Sequence, residues 1–182
     1  MGIKLISKYF LFFFILISCE RHRPKTNRNI IPDKNVVVEQ PIQSNQPKSF
    51  IAKVIRIIDG DTMEVLYGEL PIKLRLAHID CPEKRGKQPY GNAAKQALSD
   101  LCFAQNVKIE WSSKDRNGRY ISVIYNNAGQ NVNQEMVKMG MAWHYKKYSN
   151  EKIYSELENK AKADKIGLWQ DPNPIAPWDW RK

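Results

Sequence analysis

From residue 50 onward, apolar and polar positions alternate in short runs, each closed by a turn signal. Residues 50–58 stop at Asp59-Gly60, residues 63–66 stop at Tyr67-Gly68, and residues 72–79 follow, a pattern that predicts three strands in a meander. The period then lengthens. Ala94, Ala97, Leu98, Leu101 and Cys102 recur at helical spacing within residues 92–103, which predicts a helix with one apolar stripe and makes Cys102 a small buried hydrophobe. Residues 107–111 and 120–125 read as two further strands joined around Asn117-Gly118. Residues 133–139 read as a short helix stopped by Gly140. A last helix over 150–165 places Ile153, Leu157 and Ala161 four apart and ends at Gly167. Five short strands with a helix inserted after the third predict a closed or nearly closed α+β barrel with about three packed helices.

The pattern before residue 49 is different. Lys4 and Lys8 precede an apolar run over residues 9–17, too short for a membrane span of about 20 residues but right for a secretion signal. Leu16-Ile17-Ser18-Cys19 resembles the bacterial lipobox, so cleavage is expected to remove residues 1–18 and leave Cys19 as a lipidated first residue. Between residues 20 and 48 there is no aromatic residue and no Gly, while Pro24, Pro32, Pro41 and Pro47 recur among Asn, Gln and Lys. That is a linker composition. The expected organisation is a signal over 1–18, a flexible anchored linker over 19–48 and one domain over 49–182, exported and held to a bacterial membrane, or secreted if Cys19 is not lipidated.

Charge narrows the partner. Lys plus Arg number 29 against 19 Asp plus Glu, a formal +10, and the signal removes only Lys4 and Lys8 from that excess. A polyanion is a suitable partner for such a surface. Three Cys exclude a disulfide scaffold, and His22, His78 and His144 have no zinc-ligand spacing. Any metal is therefore expected on carboxylates.

Three segments could carry chemistry. Asp59-Gly60-Asp61-Thr62 alone is a turn signal that needs no function. Arg75-Leu76-Ala77-His78-Ile79-Asp80-Cys81-Pro82-Glu83 puts a cation inside an apolar strand and two acids just beyond it. By period 2, Arg75 shares a face with Ala77 and Ile79 and is expected on the barrel side, where it needs an anionic partner. Asp115-Arg116-Asn117-Gly118-Arg119 alone is a common hairpin turn.

Together, these segments resemble the staphylococcal nuclease (thermonuclease) family in order and approximate spacing, in the form of a bacterial lipoprotein-type member. The matching residues are Ile58-Asp59-Gly60-Asp61-Thr62, Leu74-Arg75-Leu76, Ile79-Asp80-Cys81-Pro82-Glu83, Tyr90-Gly91, Asp115-Arg116-Asn117-Gly118-Arg119 and the closing Gly167-Leu168-Trp169. The resemblance implies an OB-fold barrel carrying a Ca²⁺-dependent phosphodiesterase site that cuts DNA and RNA with little sequence specificity, in a monomer. It implies Asp61 and Asp80 as calcium carboxylates, the Cys81 backbone carbonyl as a further ligand, and Asp59 as an acid near the metal. Glu83 falls on the family's general base for the attacking water, with a water-orienting or metal-shell role as the rival. Arg75 and Arg119 fall on the two arginines that grip the phosphate. Such ligation suits a hard cation, and planar guanidinium forks suit equatorial phosphate oxygens.

Substrate contacts match less well. Tyr148 matches a tyrosine of the family's nucleotide pocket, but Asn117 and Lys146 stand where the staphylococcal enzyme has other tyrosines, with Tyr145 one place away. Lys84, Arg85, Lys87 and Arg116 are candidate phosphate contacts or simply solvated charges. Trp143, His144 and Tyr145 are expected to pack, as is the Trp- and Pro-rich tail over 171–182. A non-catalytic nucleic-acid-binding OB module or a lipoprotein adaptor would have no need to keep Asp61, Arg75, Asp80, Glu83 and Arg119 together.

Overall fold

A computed structural model describes residues 48–182. The expected signal, Cys19 and the linker up to residue 47 lie outside the described residues. The first strand, β1, takes in Lys48 and runs Lys48–Asp59. It is followed by β2 (Thr62–Tyr67), β3 (Leu70–Leu76), β4 (Ile79–Asp80), α1 (Gly91–Cys102), β5 (Asn106–Lys114), β6 (Tyr120–Tyr125), α2 (Val132–Lys138), β7 (Trp143–His144) and α3 (Lys152–Ala163). A 3₁₀ turn (Gly167–Gln170) and a short α4 (Pro177–Trp180) complete the chain.

Five strands close a barrel in the order β1-β2-β3-β6-β5, with β5 returning antiparallel to β1. The β3–β6 pairing is parallel, which the insertion of α1 and β5 between them permits. This is the α+β, five-stranded barrel expected from the alternation and of the OB type the resemblance implies, with α1 packed on β1, α2 on β6, α3 on α2 and β7, and α4 as an additional single turn. Val54, Ile57, Met63, Val65, Leu74, Leu76, Val107, Ile109 and Ile124 form its interior. A register shift between Val54 and Arg56 explains why β1 buries Ala52 and Val54 and then Ile57 rather than residue 56.

Two details differ from the sequence pattern, for identifiable reasons. Residues 72–79 are not one strand, because the chain breaks after Leu76 and turns at His78, whose φ is +68°. Ile79-Asp80 then pairs with Trp143-His144 in a separate two-stranded sheet. Arg75 accordingly does not face the barrel interior; its neighbours Leu74 and Leu76 do, and Arg75 projects from the outer face. In α3 the buried positions are Tyr154, Glu158 and Ala161, while Ile153 is exposed. The buried Glu158 carboxylate accepts from the His144 backbone N–H at 3.0 Å and pairs with Lys162 at 2.9 Å and Lys146 at 3.3 Å, so α3 pins β7 through a charge that periodicity reads as a polar face.

Both described cysteines, Cys81 and Cys102, are free and buried. Burial pushes the Cys102 thiol up to about 12, in keeping with its role as a small hydrophobe of α1.

Candidate active site

The β1–β2 hairpin, the end of β3 and the short β4 meet on one side of the barrel. Gly60 lets this happen: a Cβ there would meet the Cβ atoms of Ala94 and Cys81 at 2.8 Å, so only glycine lets the hairpin, α1 and the 80–83 segment approach so closely. The result sets Asp61 beside Asp80. One nitrogen of Arg75, Nη2, lies 2.8 Å from Asp80 Oδ1 and 3.1 Å from Asp61 Oδ2. Arg75 Nη1 donates to the carbonyls of Leu76 at 2.8 Å and Ile79 at 3.0 Å. Its terminal nitrogens are thus bonded within the protein, and its side chain is only 12% exposed. Burial alone would lower the Arg75 pKa, but Asp61 and Asp80 reverse that and hold it above the ordinary guanidinium value.

The acids crowd one another. Burial pushes the Asp80 carboxyl up from the usual range and the Asp61 charge adds to this, while hydrogen bonding from Arg181 pulls the other way. Burial likewise raises Asp59, opposed by the Gly60 N–H and reinforced by Asp61 and Glu83. Asp61 is fixed on both oxygens, accepting from the Thr62 hydroxyl at 2.9 Å and from the Cys81 N–H at 3.0 Å. Glu83 stands on a loop tied by its N–H to Gln88 Oε1 at 2.8 Å. That loop is pressed against the start of α1, where a Cβ on Gly91 would overlap the Glu83 carbonyl.

Arg119 arrives from the other hairpin. Asp115 caps the β5–β6 turn by accepting from the N–H groups of Asn117 and Arg119, and its second oxygen accepts from Arg119 Nε at 2.7 Å. The guanidinium so held reaches Thr62 Oγ1 at 3.4 Å, next to Asp61. A turn-capping aspartate therefore aims the arginine at the carboxylates.

Asp59, Asp61, Thr62, Arg75, Asp80, Glu83, Asp115 and Arg119 line one wide cleft of about 1530 Å³, which Cys81 does not border. Lys84, Arg85, Arg116 and Asn117 border it on the two loops, and Tyr145, Lys147 and Tyr148 border it beyond β7. Tyr148 is 70% exposed. Tyr145 packs as expected, stacking on Trp178 at 5.4 Å, yet it also faces the cleft. Lys146 turns away to Glu158, and Lys87 does not border the cleft. His144 is held between Ser155 Oγ at 2.8 Å and Ser149 Oγ at 3.0 Å, a packed structural histidine. Two residues were not singled out from the sequence. Thr62 links Arg119 to Asp61, and Arg181 from the tail bonds Asp80 and Glu83. Thr62 sits inside a quoted motif, whereas Arg181 carries no local signal.

As a place for a cation, the donors are hard oxygens. Among the described residues no three His, Cys, Asp or Glu side chains gather around one metal position. Asp61 and Asp80 would therefore be completed by a backbone carbonyl and water, which suits an ion that accepts mixed oxygen ligands. Asp59, Asp61, Asp80 and Glu83 outnumber the two arginines bonded among them, Arg75 and Arg181, and this acid excess fits such an ion.

Comparison with known proteins gives a consistent picture. The family model described as staphylococcal nuclease homologue matches residues 73–171. A Haemophilus influenzae protein named "Uncharacterized endonuclease" is 42% identical over 157 residues, 86% of each chain. A Shigella flexneri protein named "Micrococcal nuclease" is 42% identical over 144 residues, covering 73% of this chain and 81% of its own. An Arabidopsis thaliana "Staphylococcal-like nuclease" is 38% identical over 135 residues, 74% of this chain but 40% of the plant protein.

Proposed function

This chain belongs to the staphylococcal nuclease family, and from that premise we propose that it is a Ca²⁺-dependent phosphodiesterase that hydrolyses DNA, RNA or both with little sequence specificity. The observation that carries the reading is the meeting of Asp61, Arg75 and Asp80 with Arg119 and Glu83 on one cleft. A binding module requires basic and aromatic residues but no buried acid pair beside them.

Asp61, Asp80 and the Cys81 carbonyl would hold the ion. Bound there, Ca²⁺ supplies a positive charge that stabilises the phosphoryl oxygens as they gain charge. The Arg119 fork, preset by Asp115, binds two phosphate oxygens in a geometry that an ammonium cannot copy. Arg75 lies beneath the acids and neutralises them; turning Nη2 from Asp61 and Asp80 towards the phosphate makes it the second clamp. Glu83, at the cleft wall, accepts the proton of the attacking water or orients that water. Lys84, Arg116 and Tyr148 contact the strand on either side, the first two through phosphate and the last through a base or sugar face.

The N-terminal pattern completes the proposal: an exported protein, tethered to a bacterial membrane through lipidated Cys19, acting on nucleic acid outside the cytoplasm. A decisive test incubates the purified protein with plasmid DNA and with RNA, in Ca²⁺ or in chelator. Cleavage that needs Ca²⁺ supports the reading, and binding without cleavage under every condition refutes it.

A further inference from the structure

Residues 171–182 are not a frayed end. Gln88 Nε2 donates to the Ile175 carbonyl at 2.8 Å, Ala176 and Pro177 are buried, and Pro177 opens α4 at a position where proline lacks no needed donor. Trp178 stacks flat on Tyr145 at 5.4 Å and meets Trp143 edge-on at 5.6 Å. These contacts deliver Arg181 to the cleft with most of its backbone freedom already lost.

There the guanidinium takes hold of two acids. Arg181 Nη2 lies 2.6 Å from Asp80 Oδ2, and Nη1 bonds Glu83 Oε1. With Arg75 on Oδ1, both oxygens of Asp80 are occupied by arginines. The two arginines are not equivalent. Arg75 is buried on the strand, whereas Arg181 is 40% exposed on a terminal turn and can swing out.

We infer that Arg181 is a tethered counter-cation that competes with the divalent ion for Asp80, held there by its second bond to Glu83, so that the C-terminal strap sets how much metal the site needs before it loads. This rests on the calcium reading above. A divalent ion and a guanidinium draw on the same lone pairs of Asp80 Oδ2, and loading requires the Arg181 side chain to swing away. A charge-assisted bond to a buried carboxylate is worth enough to weaken ion binding by about tenfold to a hundredfold. The opposite role, in which Arg181 preorganises the ligands for the ion, predicts the opposite sign.

The test is calorimetric titration of the full-length protein with CaCl₂, without nucleic acid. Arg181→Ala should bind Ca²⁺ about tenfold or more tightly than wild type. Arg181→Gln, which keeps a polar side chain for folding, should do the same. Lys182→Ala removes an equal charge one residue away, from an exposed side chain that pairs with Asp179, and should stay within about twofold, since an exposed charge is well screened. Equal or weaker affinity in both Arg181 variants, with wild-type binding measurable, overturns this inference and leaves the calcium reading intact. Failure of every protein to bind Ca²⁺ overturns both.

Discussion

Arg75 and Asp80 lie five residues apart and form an ion pair at 2.8 Å, because the chain leaves the barrel after Leu76 and doubles back through a left-handed His78. Through that turn, a strand residue and the acid beyond its end become parts of one site. The pair compensates the burial of an arginine in an apolar strand, and it sets the first carboxylate of the cleft.

Arg119 separates clamp from ornament. Arg119→Lys keeps the charge but loses the fork that Asp115 orients. Turnover at saturating nucleic acid should fall by on the order of 10²-fold. The melting temperature should hold, since a substitution at a part-exposed turn usually costs less than about 0.5 kcal/mol. Steady-state cleavage and thermal melts of one preparation check both. Wild-type turnover would remove Arg119 from the site.

Gly91 is the place where backbone packing controls Glu83. A methyl group there overlaps the Glu83 carbonyl and crowds the Lys84 N–H, so Gly91→Ala must shift the loop or the start of α1. Turnover should drop about tenfold or more, with a stability loss of about 1–3 kcal/mol. Gly68→Ala is the contrast. Gly68 has a positive φ but open space around it, so that variant pays only backbone strain far from the cleft and should keep wild-type turnover.

How much of this was legible in the sequence depends on range. The barrel strands and α1 were readable because turn residues and alternation are local signals, whereas the Asp61, Arg75, Asp80 and Glu83 group was readable only through the joint order of motifs that resemble the family, each of which alone is a turn or an ion pair. The facing of Arg75 was not, since period 2 assumes a strand continuing past Leu76 and carries no sign of the turn at His78. Helical spacing puts Ile153 on the buried face because Glu158 reads as polar, although His144, Lys146 and Lys162 together compensate the burial of Glu158. Arg181 meets Asp80 across 101 positions, and nothing in a short tail of Trp, Pro and charge says where its last turn docks.

Acid should loosen the fold through His144. Burial lowers its pKa below the ordinary imidazole value, with Glu158 opposing and Lys146 reinforcing the shift. The unfolded chain then binds a proton near pH 6.5 that the folded chain resists, so this contribution is complete above about pH 6.5 and is lost as pH falls towards the folded value. His78, lowered by burial and paired to the same Ser149, acts in the same direction. Denaturant midpoints should fall between pH 7 and pH 5.5. His144→Gln, whatever its own stability, should show a shallower fall; an unchanged slope would assign the pH dependence to other groups.

The most direct test of the proposed chemistry follows single-turnover cleavage of a labelled oligonucleotide against free Ca²⁺, for wild type and Glu83→Gln. Wild type should be inactive in chelator and rise to a plateau with Ca²⁺. Glu83→Gln, at Ca²⁺ and oligonucleotide concentrations that saturate it, should plateau lower by on the order of 10²-fold or more, the scale of a lost proton acceptor. Full cleavage by wild type in chelator, or a Glu83→Gln plateau equal to wild type, would contradict the account.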